Sequence, residues 1–448
     1  MHGSRARSRV AESIDEVDQF AAELDRWFAS AAELDALGQY RTQLDTLAAA
    51  LRPGLRQNRL CLLDVDTGRD AGSVYDECRR ADRRTVFLRR LWRWFTVRFD
   101  QRRDQRLRNV LRAADEVVWS CWAQTWQLTH AGKPGPAPLP YLDPQLSASA
   151  TPRVDLPTDL VAVRDAALAA QVRAMPVPVI ALPERVVWRP WWLVLLAHET
   201  GHHVQYELSP GADEPARDLV MEAAAGAGAG DDEQIRWGRW AIEIFADAYA
   251  AVMVGPAIAW AVDELELRGG DGLLRSPTPA YPPPSVRLAL LAEATGDPGV
   301  APPAGGGGPL ADDVAALLKR VPAVSAALRD VPIGKATLAT PAAALPGWRQ
   351  SAAVWRRQLA GPAEPKPAAT VEAARLCVAG GVAAWRERSA GDEAGSAELL
   401  RRRLLATLPE CGPGGVRAGT VPAAGVVEAA ARSVIDAAFS PAVEEVNA

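Results

Sequence analysis

His198-Glu199-Thr200-Gly201-His202, which follows the apolar run Trp191-Trp192-Leu193-Val194-Leu195-Leu196-Ala197, is the stretch from which the rest of the chain is read. On a helix, residues four apart share a face, so an HExxH spacing sets two imidazoles side by side. Two such rings can grip one Zn²⁺ ion. Glu199, one residue round the helix, can reach a water bound to that ion. The pattern is that of a zinc hydrolase with glutamate as general base. The chain of 448 residues holds five histidines, and two of them fall in this frame. The competing reading is a helix with two incidental histidines, so the context has to supply a third ligand.

Catalytic zinc takes three protein ligands and keeps a fourth position open. Downstream, Glu243-Ile244-Phe245-Ala246-Asp247 lies in a stretch predicted to be helical from Asp232 to Val254. Glu243 and Asp247 are four apart and interrupt an apolar surface of Trp240, Ile244, Phe245, Tyr249 and Val252. Two carboxylates there are costly to bury without partners. A metal ion would partner Glu243. Asp247, one turn on, would accept the N–H on the far side of a ligand histidine and fix its tautomer. The alternative, a carboxylate pair facing solvent, loses ground beside an HExxH.

HExxH followed by ExxxD on a second helix resembles the gluzincin metallopeptidases, the thermolysin-like group. The resemblance covers about residues 175 to 290. It implies a zincin-like core in which His198, His202 and Glu243 bind zinc, Glu199 is the base and Asp247 supports His198. The gap from His202 to Glu243 exceeds that of compact members, and Gly226, Gly228 and Gly230 among alanines predict a flexible insertion. The metzincin pattern does not fit, because Gln205 and Leu208 stand where its glycine and third histidine belong. An aspartate-ligated site using Asp247 directly is a minor option. His203 is expected to point away from the zinc face. No histidine follows it, so another group must stabilise the oxyanion. Tyr281, in Tyr281-Pro282-Pro283-Pro284-Ser285-Val286-Arg287, is the candidate donor, set against an ordinary aromatic in a proline-rich turn. Tyr206, Tyr249 and Arg287 are further candidates.

Upstream, the short run Pro176–Pro183 reads as an edge strand, where an extended peptide substrate would pair, or as a plain connector. Alanine, leucine and arginine abound and β-branched runs are few, so the chain is expected to be mainly α. A zincin-like metallopeptidase core with a short edge-strand sheet would be flanked by helical N- and C-terminal regions. The expected division is a helical region over 1–130, a linker over 131–153, the core over 154–300, a linker over 301–310 and a helical region over 311–448. In the first region, Val10, Ile14, Val17, Ala21, Leu24 and Phe28 recur at helical spacing and form a face for internal packing or for a helical protein partner. From Arg79 to Arg112, thirteen arginines against three aspartates are interleaved with Phe87, Trp92, Trp94, Phe95 and Phe99. Such a stretch is a solvated helix face or a nucleic-acid surface, and the net charge of −5 disfavours the latter. Trp119, Trp122 and Trp126 are expected in the core. Five scattered cysteines without CxxC spacing, no leader-like apolar segment and no convincing span point to reduced thiols, a cytoplasmic protein and no membrane association. The expected function is hydrolysis of peptide bonds in a polypeptide substrate, with Zn²⁺ as cofactor. The alternatives are a catalytically inactive zincin-like scaffold and a protease recruited to nucleic acid through residues 79–112.

Overall fold

Long alanine- and leucine-rich segments broken by glycine and proline dictate helices, and the chain is mainly helical. The computed structural model describes residues 2–130, 134–144, 149–151, 166–208, 211, 213–266, 281–297, 309–344, 347–388, 393–413, 424–441 and 443. Two compact units form. One comprises Met1–Asp104, Thr151–Pro178 and Val416–Ala448; the other comprises Gln105–Ala150 and Val179–Gly415. This division cuts across the expected regions, because it follows packing rather than composition. The helix Gln105–Thr129 packs on the helix that carries the HExxH, and Ala373–Arg386 packs on the helix that carries Glu243. Within the expected linker 131–153, Leu139–Asp143 is a largely buried strand. Residues 301–308 of the second expected linker lie outside the described residues.

In the first unit the helices His2–Glu33, Arg41–Leu63 and Ala71–Asp100 pack on one another. The predicted face is buried through Val10, Val17, Leu24 and Phe28, with Phe20 between them. Asp70 caps the third helix by accepting from the Ser73 amide at 3.0 Å. The arginine-rich stretch largely falls on this helix, and its aromatics Phe87, Trp92, Trp94, Phe95 and Phe99 are all buried. Several of its arginines cover aromatic faces of the same unit: Arg89 lies over Phe20, Arg98 over Trp94 and Arg102 over Tyr40. A platform for stacking bases needs exposed rings, and these rings are in the core.

In the second unit a three-stranded sheet has Val179–Pro183 in the middle, parallel to Leu139–Asp143 on one side and flanked by Ser149–Thr151 on the other. The expected edge strand is therefore the central one, and it has no free edge for β-addition. Its prolines account for the difference. Pro178 precedes the strand and Pro183 ends it, where a missing N–H does not interrupt the ladder. The expected flexible insertion is helical on both sides of its glycines. The helix Asp213–Gly226 packs along Asp231–Val254, with Met221 crossing over Gly238. The turn between them uses Gly228 at φ 88° and is tied by Arg320, which donates to the carbonyls of Ala227 and Gly228. Among the described residues no helix is long and apolar enough to cross a membrane.

The helix Asp231–Val254 stops at Gly255, whose φ of 61° and ψ of −145° suit glycine alone. A Cβ there would lie 1.9 Å from the Trp348 ring. Gly255→Ala is therefore expected to lose roughly 2–4 kcal/mol, strained backbone and overpacking together, read as a lower urea midpoint. An unchanged midpoint would show that neither constraint operates.

Candidate metal centre

Three helices of the second unit bring the charged side chains together. The motif helix Leu196–His203 carries His198, Glu199 and His202, and passes into a π-helical turn over Val204–Leu208. The carboxylate helix Asp231–Val254 carries Glu243 and Asp247. The arginine helix Pro284–Thr295 carries Arg287, with Tyr281 just ahead of it. Small residues set the closeness of the first two. A Cβ on Gly201 would lie 3.1 Å from the Ala246 Cα and 3.1 Å from the Tyr249 ring, so the glycine of the motif lets the two backbones approach.

His198 Nε2 and His202 Nε2 are 3.2 Å apart. Glu243 Oε2 lies 3.4 Å from the first and 3.5 Å from the second. The three atoms form a nearly equilateral triangle. Ligand atoms about 2.0–2.1 Å from a tetrahedral zinc ion stand roughly 3.3–3.4 Å apart, so the triangle has the size of three zinc ligands. Glu243 Oε2 is buried and accepts no hydrogen bond, and a cation at the triangle would satisfy it.

On the far side of His198, Nδ1 lies 2.9 Å from Asp247 Oδ1. It is a short charged contact, although its angle falls outside that of a straight hydrogen bond. Asp247 is 1% exposed, and its two oxygens accept from Arg287 Nε and Nη2 at 2.8 Å each. This bidentate pairing makes the buried carboxylate tolerable. Burial alone would raise the Asp247 pKa, but Arg287 and then His198 hold it down, to about 2. Burial likewise opposes a charge on His198, yet Asp247 and Glu243 outweigh it and raise the imidazole to about 10. Glu243 is held far below the usual carboxylate range in spite of burial, because His202 and His198 adjoin it. The field at the triangle thus favours positive charge.

The other residues singled out in the sequence divide cleanly. Tyr281 stands near this cluster. Partial burial and then the Glu243 charge push its phenol upward, Glu199 adding to the effect, and the Arg287 guanidinium lies 4.9 Å from its ring centre. Tyr249 does not reach the cluster. It is fully buried and donates to the Cys121 carbonyl at 3.1 Å, with Thr125 Oγ1 2.8 Å away. His203 points away, as expected. Its Nε2 meets the Val179 carbonyl at 3.1 Å, and burial lowers its pKa to about 3. In the sequence Arg287 stands out only as a possible oxyanion donor. The signal for its pairing with Asp247 was the cost of an aspartate on an apolar helix face, which calls for a cation as well as a histidine.

Comparison with protein-family models, with curated proteins and with solved structures yields no match. The reading of the site therefore rests on its own geometry.

The Asp247–Arg287 pair supplies a test. Arg287→Met removes the cation and leaves a buried carboxylate, and is expected to cost about 3–5 kcal/mol in urea unfolding. Adding Asp247→Asn should recover part of that loss. Additive losses in the double variant would show that the two side chains are not coupled.

Proposed function

We propose that the chain is a zinc metallopeptidase of gluzincin type, with His198, His202 and Glu243 as metal ligands. The observation that carries this reading is the triangle of three donor atoms 3.2–3.5 Å apart, with Glu199 next to His198 on the same helix. Zinc bound there would lower the pKa of a coordinated water and polarise a substrate carbonyl. Glu199 takes a proton from the attacking water and passes it to the leaving amine. Asp247 keeps His198 in the tautomer that leaves Nε2 free, and Arg287 keeps Asp247 ionised and oriented. The Tyr281 phenol stays protonated, so it remains a donor for the oxyanion. A structural zinc site has no use for a glutamate at position 199, which favours an enzyme over a scaffold.

Two measurements test this reading. Purified protein is expected to carry about one zinc per chain by elemental analysis, and His198→Ala, His202→Ala and Glu243→Ala should each lose most of it. Glu199→Gln should keep the zinc and lose roughly 10²–10⁴-fold in cleavage of a mixed peptide library. Full zinc in Glu243→Ala would remove that residue from the site, and equal cleavage by Glu199→Gln would exclude it as the base.

Zinc uptake should also depend on pH in a defined direction. The metal must displace the proton that Asp247 and Glu243 hold on His198 up to about pH 10. Below that value, apparent affinity should rise with pH, by on the order of tenfold per unit for one displaced proton. Chelator competition at pH 6, 7 and 8 measures the slope, and an affinity flat across that range would contradict it.

A further inference from the structure

Beyond the candidate metal centre, the second unit holds a cavity of about 460 Å³. That volume falls in the range of roughly 300–1,000 Å³ typical of small-molecule pockets. One wall is the end of the carboxylate helix and the turn after it, through Val254, Pro256 and Ala257. The others are the helices Trp348–Ala360 and Ala373–Arg386, which present Ala352, Ala379, Val382 and Ala383. Alanines at these positions leave space that larger side chains would fill.

Close approaches at two glycines set the spacing of its walls. The two helices are pinned at Gly380, where a Cβ would lie 2.5 Å from Trp355 Cβ and 2.9 Å from the Ala352 carbonyl oxygen. On the other side the Trp348 indole fills the place of a side chain at Gly255.

The rim is charged where the floor is apolar. Arg349, Arg356 and Arg386 face Asp297 and Glu387. Arg356 and Glu387 pair with each other. Arg349 spends one N–H on the Thr295 carbonyl and lies 5.2 Å from the Trp348 ring centre. Its guanidinium has further donors to offer. Arg386 is exposed, and its charge acts on the Asp263 carboxyl, opposing the effect of burial there.

We infer that this cavity binds a small amphipathic anion, its apolar body against the alanine floor and its anionic head at the Arg349 and Arg386 rim. The class is a compact carboxylate, sulfonate or phosphate ester with a short hydrocarbon or aromatic body. Neither half of the site suffices alone. An apolar floor would accept neutral hydrocarbon equally well, and a cationic rim would accept inorganic phosphate equally well. The ligand would touch the last turn of the helix that bears Glu243 and Asp247.

Isothermal titration of the full-length protein with decanoate, decan-1-ol and inorganic phosphate tests both halves. One decanoate per chain is expected. Decanol should bind at least tenfold more weakly, and phosphate should not compete. Arg386→Gln should weaken decanoate about tenfold or more, as losing one charge-assisted contact does. The side chain is exposed, so folding should be unaffected. Ala383→Leu, which fills the floor, should abolish binding. Binding of decanol as tight as decanoate, competition by phosphate, absence of decanoate binding, or unchanged affinity in Arg386→Gln would each overturn the inference. If Ala383→Leu does not fold, the Arg386→Gln and decanol comparisons still decide it. Titration of metal-free protein prepared with a chelator keeps decanoate from ligating zinc, so the outcome is independent of the proposed metal centre.

Discussion

Asp247 is the constraint on which the second unit depends. It is a buried carboxylate on an apolar helix face, and such a group is stable only when neighbouring elements bring it partners. Arg287 reaches it from the arginine helix with two hydrogen bonds, and His198 reaches it from the motif helix. One aspartate therefore orients three helices at once. The closeness that this demands is supplied by Gly201, which sits where any side chain would press on the Ala246 backbone and the Tyr249 ring. Charge and size select the same arrangement, and that agreement between levels is what specifies a structure.

The same arrangement accounts for the electrostatics of the triangle. Arg287 balances Asp247, while Glu199 and Glu243 add two further carboxylates near His198. The cluster therefore has an excess of negative charge in a buried setting. It answers by holding a proton on His198. A divalent cation would do the same work more completely, because it would also give the otherwise unbonded Glu243 Oε2 a partner. The preference for positive charge follows from the same close spacing of the donors, and that spacing is what suits the proposed zinc.

How much of this could be read from the chain follows from what each feature depends on. The meeting of His198, His202, Glu243 and Asp247 was legible, because it rests on i,i+4 spacing and on the price of burying carboxylates. Helical content and the face of the first helix were legible for the same reason, since their period is local. The central position of Val179–Pro183 was not, because strand order is decided by which segments pair with it and the prolines at its ends are compatible with either place. The ordered turn at Gly228 was hidden too. Glycine among alanines reads as flexibility, and the turn is held by Arg320, which is remote in sequence.

Arginine shows the limit most plainly. Between Arg79 and Arg112 it is dense and interleaved with aromatics, and composition alone suggests a binding surface. There, however, the rings are buried and many guanidiniums are taken up by aromatic faces or by carboxylates one turn away. Around Arg349 and Arg386 the sequence is alanine-rich helix, yet a rim of arginines and carboxylates lies over an apolar floor. A charged side chain is available to a ligand only when its own fold has not already used it. That depends on the number and distance of its partners, which are properties of the folded unit and not of the run of residues in which the side chain occurs.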